Sequence, residues 1–360
     1  MFTASMSQNE RSTGLLIATI FMLLGSLSLS MACSADKAAA PAVAPVADTA
    51  QPAAAVALEE KTDKQIGFPI FASTSIVSDW VKNVGGERVI VEQLAPGGKD
   101  PHTYQPTPKE VAKLSESKLV FSIGLTLEGK NISSLLENSL SPDATHIPLG
   151  PLVNPIEYKE HDEHDEHDEH DEHDEHDEHD EHDEHDHGTH DPHFWLDPAR
   201  ASIAVDEIAA QLSRLDPNSA GFYQGNATAY KSQLSDLDKQ MASMFEQIPE
   251  KDRKLVTSHE ALGYLGDKYD FEIIGAVIPS MSTESGPAAA DIAKLIDNIK
   301  LVKVKAIFME EGIVEKITTQ IAQDTNVEVI TGLQVEYVQE GESYLQMMTK
   351  LSELISEGLK

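Results

Sequence analysis

The chain has 360 residues, with 27 Lys and Arg against 61 Asp and Glu, and a formal net charge of −34. This length is enough for two domains, and the apolar content of 40% is typical of a globular chain. Such an acidic chain would repel phosphate, which excludes nucleic acid as a partner and favours a cationic ligand. The single cysteine, Cys33, excludes an internal disulfide bond.

The N-terminus has the pattern of a secretory signal. Arg11 precedes the apolar run Leu15–Leu24, and small residues lead to Cys33 in a sequence that resembles a bacterial lipobox. We predict a signal peptide at residues 1–32 and lipidation of Cys33. Two alternatives stay open: cleavage without a lipid, and an uncleaved anchor, for which the strongly apolar part is shorter than the required length of about 20 residues. Each places the mature protein outside the cytoplasm.

Residues 33–65 are rich in Ala and Pro, which predicts an extended tether. From residue 66, short apolar strands alternate with amphipathic helices, and this alternation predicts a parallel sheet with helices on both faces. In this N-terminal α/β lobe, at 66–215, the predicted elements are Pro69–Ser73, Ser75–Val84, Val89–Leu94, a capped helix starting at Thr107, Lys118–Ile123, Thr145–Pro148 and a helix after Asp197.

A long helix is predicted at 216–249, because apolar residues recur there at intervals of three and four. Its length of roughly 45 Å exceeds what one small domain needs, so we interpret it as a rigid helix that joins two lobes. The alternation then repeats at 250–360, which predicts a C-terminal α/β lobe. Its predicted elements are Lys254–Ser258, Glu260–Lys268, Phe271–Val277, Pro287–Lys300, Val304–Met309, Ile313–Gln323, Val327–Ile330 and Tyr344–Leu359.

A Glu-His-Asp repeat begins at Glu160 and closes with His187. It has no apolar residue, so we predict a disordered loop at 158–190 within the first lobe. Neutral imidazoles bind divalent metals, so the repeat should bind metal weakly and at many sites. This binding should fail below about pH 6.5, where the imidazoles become protonated. The loop either collects or senses zinc for a separate site, or is a dispensable insertion. Its candidate accessory ligands are His161, His164, His167, His170, His173, His176, His179, His182, His185, His187 and His190.

Three histidines outside this loop lie beside predicted elements. His102 and His259 follow predicted strands, and His193 precedes a predicted helix. Ligands of open α/β sheets bind beyond the carboxyl ends of the strands, so two facing lobes would bring these imidazoles to one cleft. His102 and His193 each follow an Asp-Pro pair, in which proline stiffens the loop. Asp100 and Asp191 could then hold the ring nitrogens as outer partners.

Five motifs occur in series along residues 68–360. They are Asp100-Pro-His-Thr-Tyr-Gln-Pro106, Gly124–Glu128, Asp191-Pro-His-Phe-Trp-Leu-Asp-Pro198, Thr257–Leu265 and Ser282–Ala289. Together with the long helix and the acidic His-rich insertion, they resemble the solute-binding proteins of bacterial zinc and manganese ABC importers, the cluster A-I group. This resemblance implies two α/β lobes bridged by one rigid helix, with a metal bound in the cleft between them.

The resemblance also implies a ligand set: His102, His193 and His259. Many members of the group carry an Asp after the last strand as a fourth ligand, and Glu336 falls at that position, with Glu310 or water as alternatives. Three imidazoles with one carboxylate or water suit tetrahedral zinc, whereas manganese sites favour more oxygen. In manganese-binding relatives the position matching His259 is typically Glu, so this histidine favours Zn²⁺ over Mn²⁺.

The sequence therefore predicts a non-enzymatic binding protein that captures Zn²⁺ and delivers it to the membrane permease of an ABC importer. We expect a monomer in the periplasm or on the outer face of a bacterial membrane, with membrane contact through a lipid anchor. The alternatives are a manganese-binding homologue, a surface zinc buffer or adhesin, and a metalloenzyme with Glu260 as general base. The enzyme is disfavoured because the chain lacks a His-Glu-x-x-His motif.

Overall fold

The computed structural model describes residues 67–158 and 189–360, which lie within one compact unit, Thr62–Lys360. The predicted signal peptide, the lipidation of Cys33, the tether and the ten histidines between 161 and 187 fall outside the described residues and stay predictions. Within the described part, no helix combines the length and the apolar character needed to cross a membrane.

The first lobe is a four-stranded parallel sheet with strand order β2-β1-β3-β4. Residues Thr107 and Glu110 form the predicted capping box at the start of α2. The elements of this lobe are β1 Phe68–Thr74, α1 Ser75–Gly85, β2 Val89–Ala95, α2 Pro108–Ser115, β3 Leu119–Ser122, α3 Lys130–Asn138, β4 Thr145–Pro148 and α4 Pro198–Leu215.

The second lobe repeats this plan after the long helix, with strand order β6-β5-β7-β8 and parallel pairing throughout. The predicted fold class, two parallel-sheet α/β lobes with a long helix between them in the chain, is confirmed. The elements are α5 Ala220–Phe245, β5 Lys254–His259, α6 Gly263–Tyr269, β6 Glu272–Ile278, α7 Ala289–Val302, β7 Ala306–Glu310, α8 Glu315–Thr325, β8 Glu328–Leu333 and α9 Tyr344–Leu359.

Three elements differ from the predictions. The long helix is 26 residues and about 39 Å long rather than 45 Å, because Pro217–Ser219 forms a separate 3-10 turn before Ala220 and the helix ends at Phe245 rather than at residue 249. Helix α3 was missed, although Ile132 and Leu136 have helical spacing and are buried. Helix α6 begins at Gly263 rather than Glu260, and the backbone N–H of Glu260 donates to the Ser280 oxygen at 3.0 Å.

One large apolar cluster contains residues of both lobes and includes residues of α1, α4, α5 and α9. The rings of Trp80 and Tyr344, from opposite ends of the sequence, meet edge to face at 5.4 Å. The indole of Trp195 donates to the backbone oxygen of Val335 at 3.0 Å. The lobes are therefore packed on each other as well as connected by α5, and this packing fixes the loops that face the cleft.

Candidate metal centre

Four buried side chains from four separate loops or strand ends converge between the lobes. His102 lies in the loop after β2, His193 precedes α4, His259 ends β5, and Glu336 follows β8. Each side chain is at most 3% exposed, and one potential ligand atom of each lies within 4.8 Å of the others. In the described part of the chain, no second group of this kind is found. The three predicted histidines and Glu336 therefore meet at one point.

The carboxylate of Glu336 faces all three imidazoles. Its Oε1 lies 3.3 Å from Nε2 of His193 and 3.2 Å from Nε2 of His259, and its Oε2 lies 3.7 Å from Nε2 of His102. None of these five buried atoms makes a hydrogen bond of good geometry. Buried polar atoms without hydrogen bonds are costly, so this arrangement fits a cation held by three nitrogens and a carboxylate.

Carboxylates orient two of the three imidazoles from outside. Nδ1 of His193 lies 2.7 Å from Asp191 Oδ1, and Nδ1 of His259 lies 2.7 Å from Glu310 Oε1. When Nδ1–H donates to a carboxylate, the lone pair of Nε2 points to the centre, which is the tautomer that binds a metal. Glu310, an alternative for the fourth ligand, thus holds the outer nitrogen of His259 and is not among the four.

Asp100 acts differently from its counterpart Asp191. Its carboxylate accepts the backbone N–H of His102 at 2.9 Å and the hydroxyl groups of Thr103 at 3.1 Å and Thr283 at 2.5 Å. Nδ1 of His102 has no hydrogen-bond partner, so the suggestion that Asp100 holds this ring is wrong. Asp100 instead orders the backbone of the His102 loop and ties that loop to the second lobe through Thr283.

Two glycines leave room for the residues that bear the centre. The N–H of Gly129 donates to the Pro101 oxygen at 3.4 Å, and a Cβ on Gly129 would lie only 1.7 Å from the backbone oxygen of His102. A Cβ on Gly263 would lie 2.4 Å from Oδ2 of Asp191. Gly263 belongs to the motif Thr257–Leu265, and Gly129 directly follows the motif Gly124–Glu128. The sequence alone did not predict either of these close contacts.

The loop that carries Gly129 is itself anchored by a buried carboxylate. Glu128 accepts the Ser73 hydroxyl at 2.6 Å and the backbone N–H groups of Ile123 at 2.7 Å and Gly124 at 2.9 Å. Burial outweighs these hydrogen bonds and raises the pKa of Glu128. The motif Gly124–Glu128 therefore serves the centre indirectly, because it fixes the loop against which the His102 backbone rests.

Nearby carboxylates raise the pKa of two imidazoles even though burial opposes protonation. At His193 burial lowers the pKa, but Glu336 and Asp191 outweigh it and raise the pKa to about 9. At His259 burial again lowers the pKa, but Glu310 and Glu336 outweigh it and hold the pKa well above its ordinary value. Without a metal, both imidazoles therefore carry a second ring proton, and with it a positive charge, at neutral pH.

The pKa values of the remaining two groups of the centre are lowered. Burial lowers the pKa of His102 to about 4, although the Glu336 carboxylate opposes this effect. Burial would raise the pKa of Glu336, but the facing imidazoles, led by His193, lower it well below its ordinary value. The metal-free centre therefore holds a neutral His102 and an ionised Glu336 beside two imidazolium groups.

Metal binding should consequently release protons. The cation needs unprotonated Nε2 atoms, so one Zn²⁺ displaces the protons of His193 and His259, and we expect about two protons released at pH 7. Affinity should rise between pH 6 and 8 by up to about 100-fold per pH unit, and level off above the raised pKa values. Calorimetry in buffers of different ionisation enthalpy, on a variant without residues 160–187, measures this release. Zero release at pH 7 would refute the assignment of the protons.

Among the residues that the structure describes, two further histidines lie outside the four-residue centre. His146, on β4, is half-buried, and its Nε2 lies 2.8 Å from the Ser122 hydroxyl. His190, a predicted accessory ligand, is half-buried and pairs through Nδ1 with the Thr189 hydroxyl at 2.8 Å. Neither imidazole reaches the centre formed by the four residues, and an accessory role for His190 stays a prediction.

Comparison with known proteins shows the family. Residues 70–358 match the family described as zinc-uptake complex component A, periplasmic. The chain belongs to this family. The manganese ABC transporter substrate-binding lipoprotein PsaA of Streptococcus mitis is 31% identical over 300 residues, covering 81% of this chain and 88% of that protein. The metal ABC transporter substrate-binding lipoprotein FimA of Streptococcus parasanguinis is 29% identical, with the same coverage.

Solved structures of similar proteins show the same fold. The periplasmic zinc-binding protein TroA from Treponema pallidum has a TM-score of 0.69 at 23% identity, covering 81% of this chain and 99% of TroA. A manganese-bound periplasmic metal-binding protein from candidatus Liberibacter asiaticus has a TM-score of 0.67 at 22% identity, covering 81% of this chain and all of that one. At such identity the likeness concerns the fold, so the choice of metal must be argued from the residues of this chain.

Proposed function

We propose that this protein is an extracytoplasmic solute-binding protein that captures Zn²⁺ and delivers it to the permease of an ABC importer. The observation that carries the proposal is the buried convergence of three imidazole Nε2 atoms on one carboxylate, in a chain of the zinc-uptake family. The ligands we propose are His102, His193, His259 and Glu336. They bind the transported ion, so the metal is cargo rather than a cofactor of a reaction.

Zinc fits this donor set better than manganese does. Three nitrogens and one carboxylate form the tetrahedral set that Zn²⁺ accepts. Two of the imidazoles have a carboxylate at Nδ1, which favours the tautomer that binds a metal through Nε2. Manganese prefers oxygen ligands and a higher coordination number. It remains the second candidate because the relative PsaA is described as a manganese protein. The decisive residue is His259, where a carboxylate would instead give two nitrogens and two carboxylates.

The surroundings of the centre support binding rather than turnover. Glu260, considered above as a general base, accepts the hydroxyl group of Tyr158 at 2.5 Å. The ligands are 0–3% exposed, which favours retention of a small ion over access by an organic substrate. The family assignment agrees, because its description names a component of an uptake complex.

The N-terminal signal, a lipid on Cys33 and the Ala/Pro-rich tether would hold this binding protein at the outer face of a membrane, next to a permease. The Glu-His-Asp repeat would collect or sense zinc near the centre, without forming the selective site. A surface zinc buffer without a transporter is the remaining alternative, and zinc-limited growth of a deletion strain distinguishes it, because only an importer component would be needed for uptake.

Metal competition tests the choice of zinc. We expect the chain lacking residues 160–187 to bind one Zn²⁺ per molecule and to retain it against a large excess of Mn²⁺, because the donor set is rich in nitrogen. Metal content by mass spectrometry after dialysis measures both quantities. Full-length protein should bind additional, weaker zinc. Preferential retention of Mn²⁺ by the deletion variant would favour the second candidate.

A further inference from the structure

The chain enters and leaves the Glu-His-Asp insertion through one short antiparallel pair, which we call the strap: residues 156–158 and 189–191. The backbone N–H of Tyr158 donates to the Thr189 oxygen at 3.0 Å, and the N–H of Asp191 donates to the Ile156 oxygen at 3.0 Å. Glu157 lies opposite His190 in this pair. The strap belongs to the first lobe and leads directly to His193.

Side chains of the second lobe fasten both strands of the strap. Tyr264, on α6, donates its hydroxyl to the Asp191 oxygen at 2.7 Å and accepts the N–H of Ile156 at 3.1 Å. A single phenol thus holds both strands. Tyr158 donates its hydroxyl to Oε2 of Glu260 in the second lobe at 2.5 Å. The strap therefore crosses the boundary between the lobes and is bonded on the far side.

Each fastening ends beside a residue of the metal centre. Asp191, whose backbone oxygen bonds Tyr264, holds Nδ1 of His193 through its carboxylate. Glu260, which bonds Tyr158, directly follows His259, and its own N–H is fixed by the Ser280 oxygen at 3.0 Å. Separating the lobes at this edge would break the tyrosine bonds and pull apart the segments that carry His193 and His259.

We propose that Tyr158 and Tyr264 are positioning residues that keep the lobes closed around the cation and so slow its release. The inference rests on the proposed function and adds to it the contacts that set how fast the bound metal dissociates. Release begins from the closed form and must break the strap bonds. An ion enters the open form, in which these bonds are already broken, so they act on release rather than on entry. They also make the base of the insertion part of the mechanism that retains the metal.

The expected effect follows from the chemistry of the Tyr158 bond. It joins a phenol to the Glu260 carboxylate in a half-buried position, and such charge-assisted bonds are stronger than neutral ones. Removing the hydroxyl should make release about 10-fold faster. The geometry of the ligands should not change, because the Tyr158 hydroxyl bonds to Glu260, which is not one of the proposed ligands.

Release of Co²⁺ from the full chain tests this inference, since the visible absorption of tetrahedral Co²⁺ reports both the centre and its occupancy. In Tyr158→Phe we expect about 10-fold faster loss to excess chelator, with an unchanged Co²⁺ spectrum and an association rate within about twofold. The effect should be smaller in a Glu260→Ala background, and the double-mutant cycle takes this difference as the contribution of the Tyr158–Glu260 bond. Tyr264→Phe should accelerate release in the same way.

Tyr269→Phe is the matched control. Its hydroxyl donates to Asp238 on α5 at 2.7 Å, an equivalent phenol–carboxylate bond that does not belong to the strap. Faster release in Tyr158→Phe but not in this control supports the strap. Equal release rates in wild type, Tyr158→Phe and Tyr264→Phe would overturn it, as would a changed Co²⁺ spectrum. Failure of the proposed function looks different: wild type itself would then take up no Co²⁺ or Zn²⁺ at the centre.

Discussion

The His102→Ala variant is expected to bind Zn²⁺ more than about 100-fold more weakly than wild type. Loss of an outer partner of a ligand typically costs 10–100-fold, and loss of the ligand itself should exceed that range. His102 has no carboxylate on Nδ1 and its pKa is lowered to about 4, so it is the imidazole that needs no deprotonation before binding. Its removal therefore takes away metal affinity without leaving a buried charge unpaired.

The His259→Ala variant provides the contrast. It should lose affinity to a similar extent but also lower the stability of the metal-free protein by about 3–5 kcal/mol, because Glu310 then stays buried without its partner. Adding Glu310→Gln should recover much of that stability and none of the affinity. His146→Ala, which removes a half-buried imidazole outside the centre, serves as control for both measurements. Zinc titration and thermal unfolding of these variants measure the two effects separately. Unchanged zinc affinity in His102→Ala would contradict the ligand assignment.

The Gly129→Ala variant is expected to impair the centre almost as strongly, although this residue touches no metal. The added methyl group would lie 1.7 Å from the His102 oxygen and 2.8 Å from its carbonyl carbon, so backbone rather than a flexible side chain must move. We expect zinc affinity to fall by about 10–100-fold, as for loss of an outer partner. The φ angle of Gly129 is −54°, so glycine is needed here for space and not for a left-handed conformation.

A glycine in open space is the matched control. Gly225 lies within α5 with no neighbour within 4 Å of an added Cβ. Gly225→Ala should leave zinc affinity unchanged and stabilise the helix by about 0.5–1 kcal/mol. Zinc titration of both variants, with thermal unfolding to show that each is folded, measures the difference. Wild-type affinity in Gly129→Ala would show that the His102 loop does not depend on this contact.

Much of the fold could be predicted from local patterns. The alternation of apolar strands with amphipathic helices gave two parallel-sheet lobes, and α9 spans the predicted residues Tyr344–Leu359. The capping box at Thr107 marked the start of α2. These features depend on residues within a few positions of one another, so the sequence carries them directly.

The convergence of the histidines could also be predicted, because each followed a predicted strand or preceded a predicted helix. The groups that orient the imidazoles were harder to predict. Asp100 and Asp191 occupy identical Asp-Pro-His motifs, yet only Asp191 holds a ring nitrogen, because Asp100 is drawn to the hydroxyl of Thr283 in the other lobe. The partner of His259 is Glu310, 51 residues further along the chain. Tertiary contacts of this kind have no periodic signal.

The same reason explains why the supporting contacts were missed. The approach of Gly129 to His102 and the fastening of Asp191 by Tyr264 both join segments that are distant in sequence. Helix α3 was missed for a local reason: it begins after Gly129 without a side-chain cap, so its start carries no signal.

The most direct test of the central claim is a crystal structure of the protein with one equivalent of zinc, with anomalous scattering recorded at the zinc edge. We expect one strong peak about 2.0–2.2 Å from Nε2 of His102, His193 and His259 and from a carboxylate oxygen of Glu336. A principal peak held by the histidines of the Glu-His-Asp repeat, with the four buried residues bound to no metal, would contradict it.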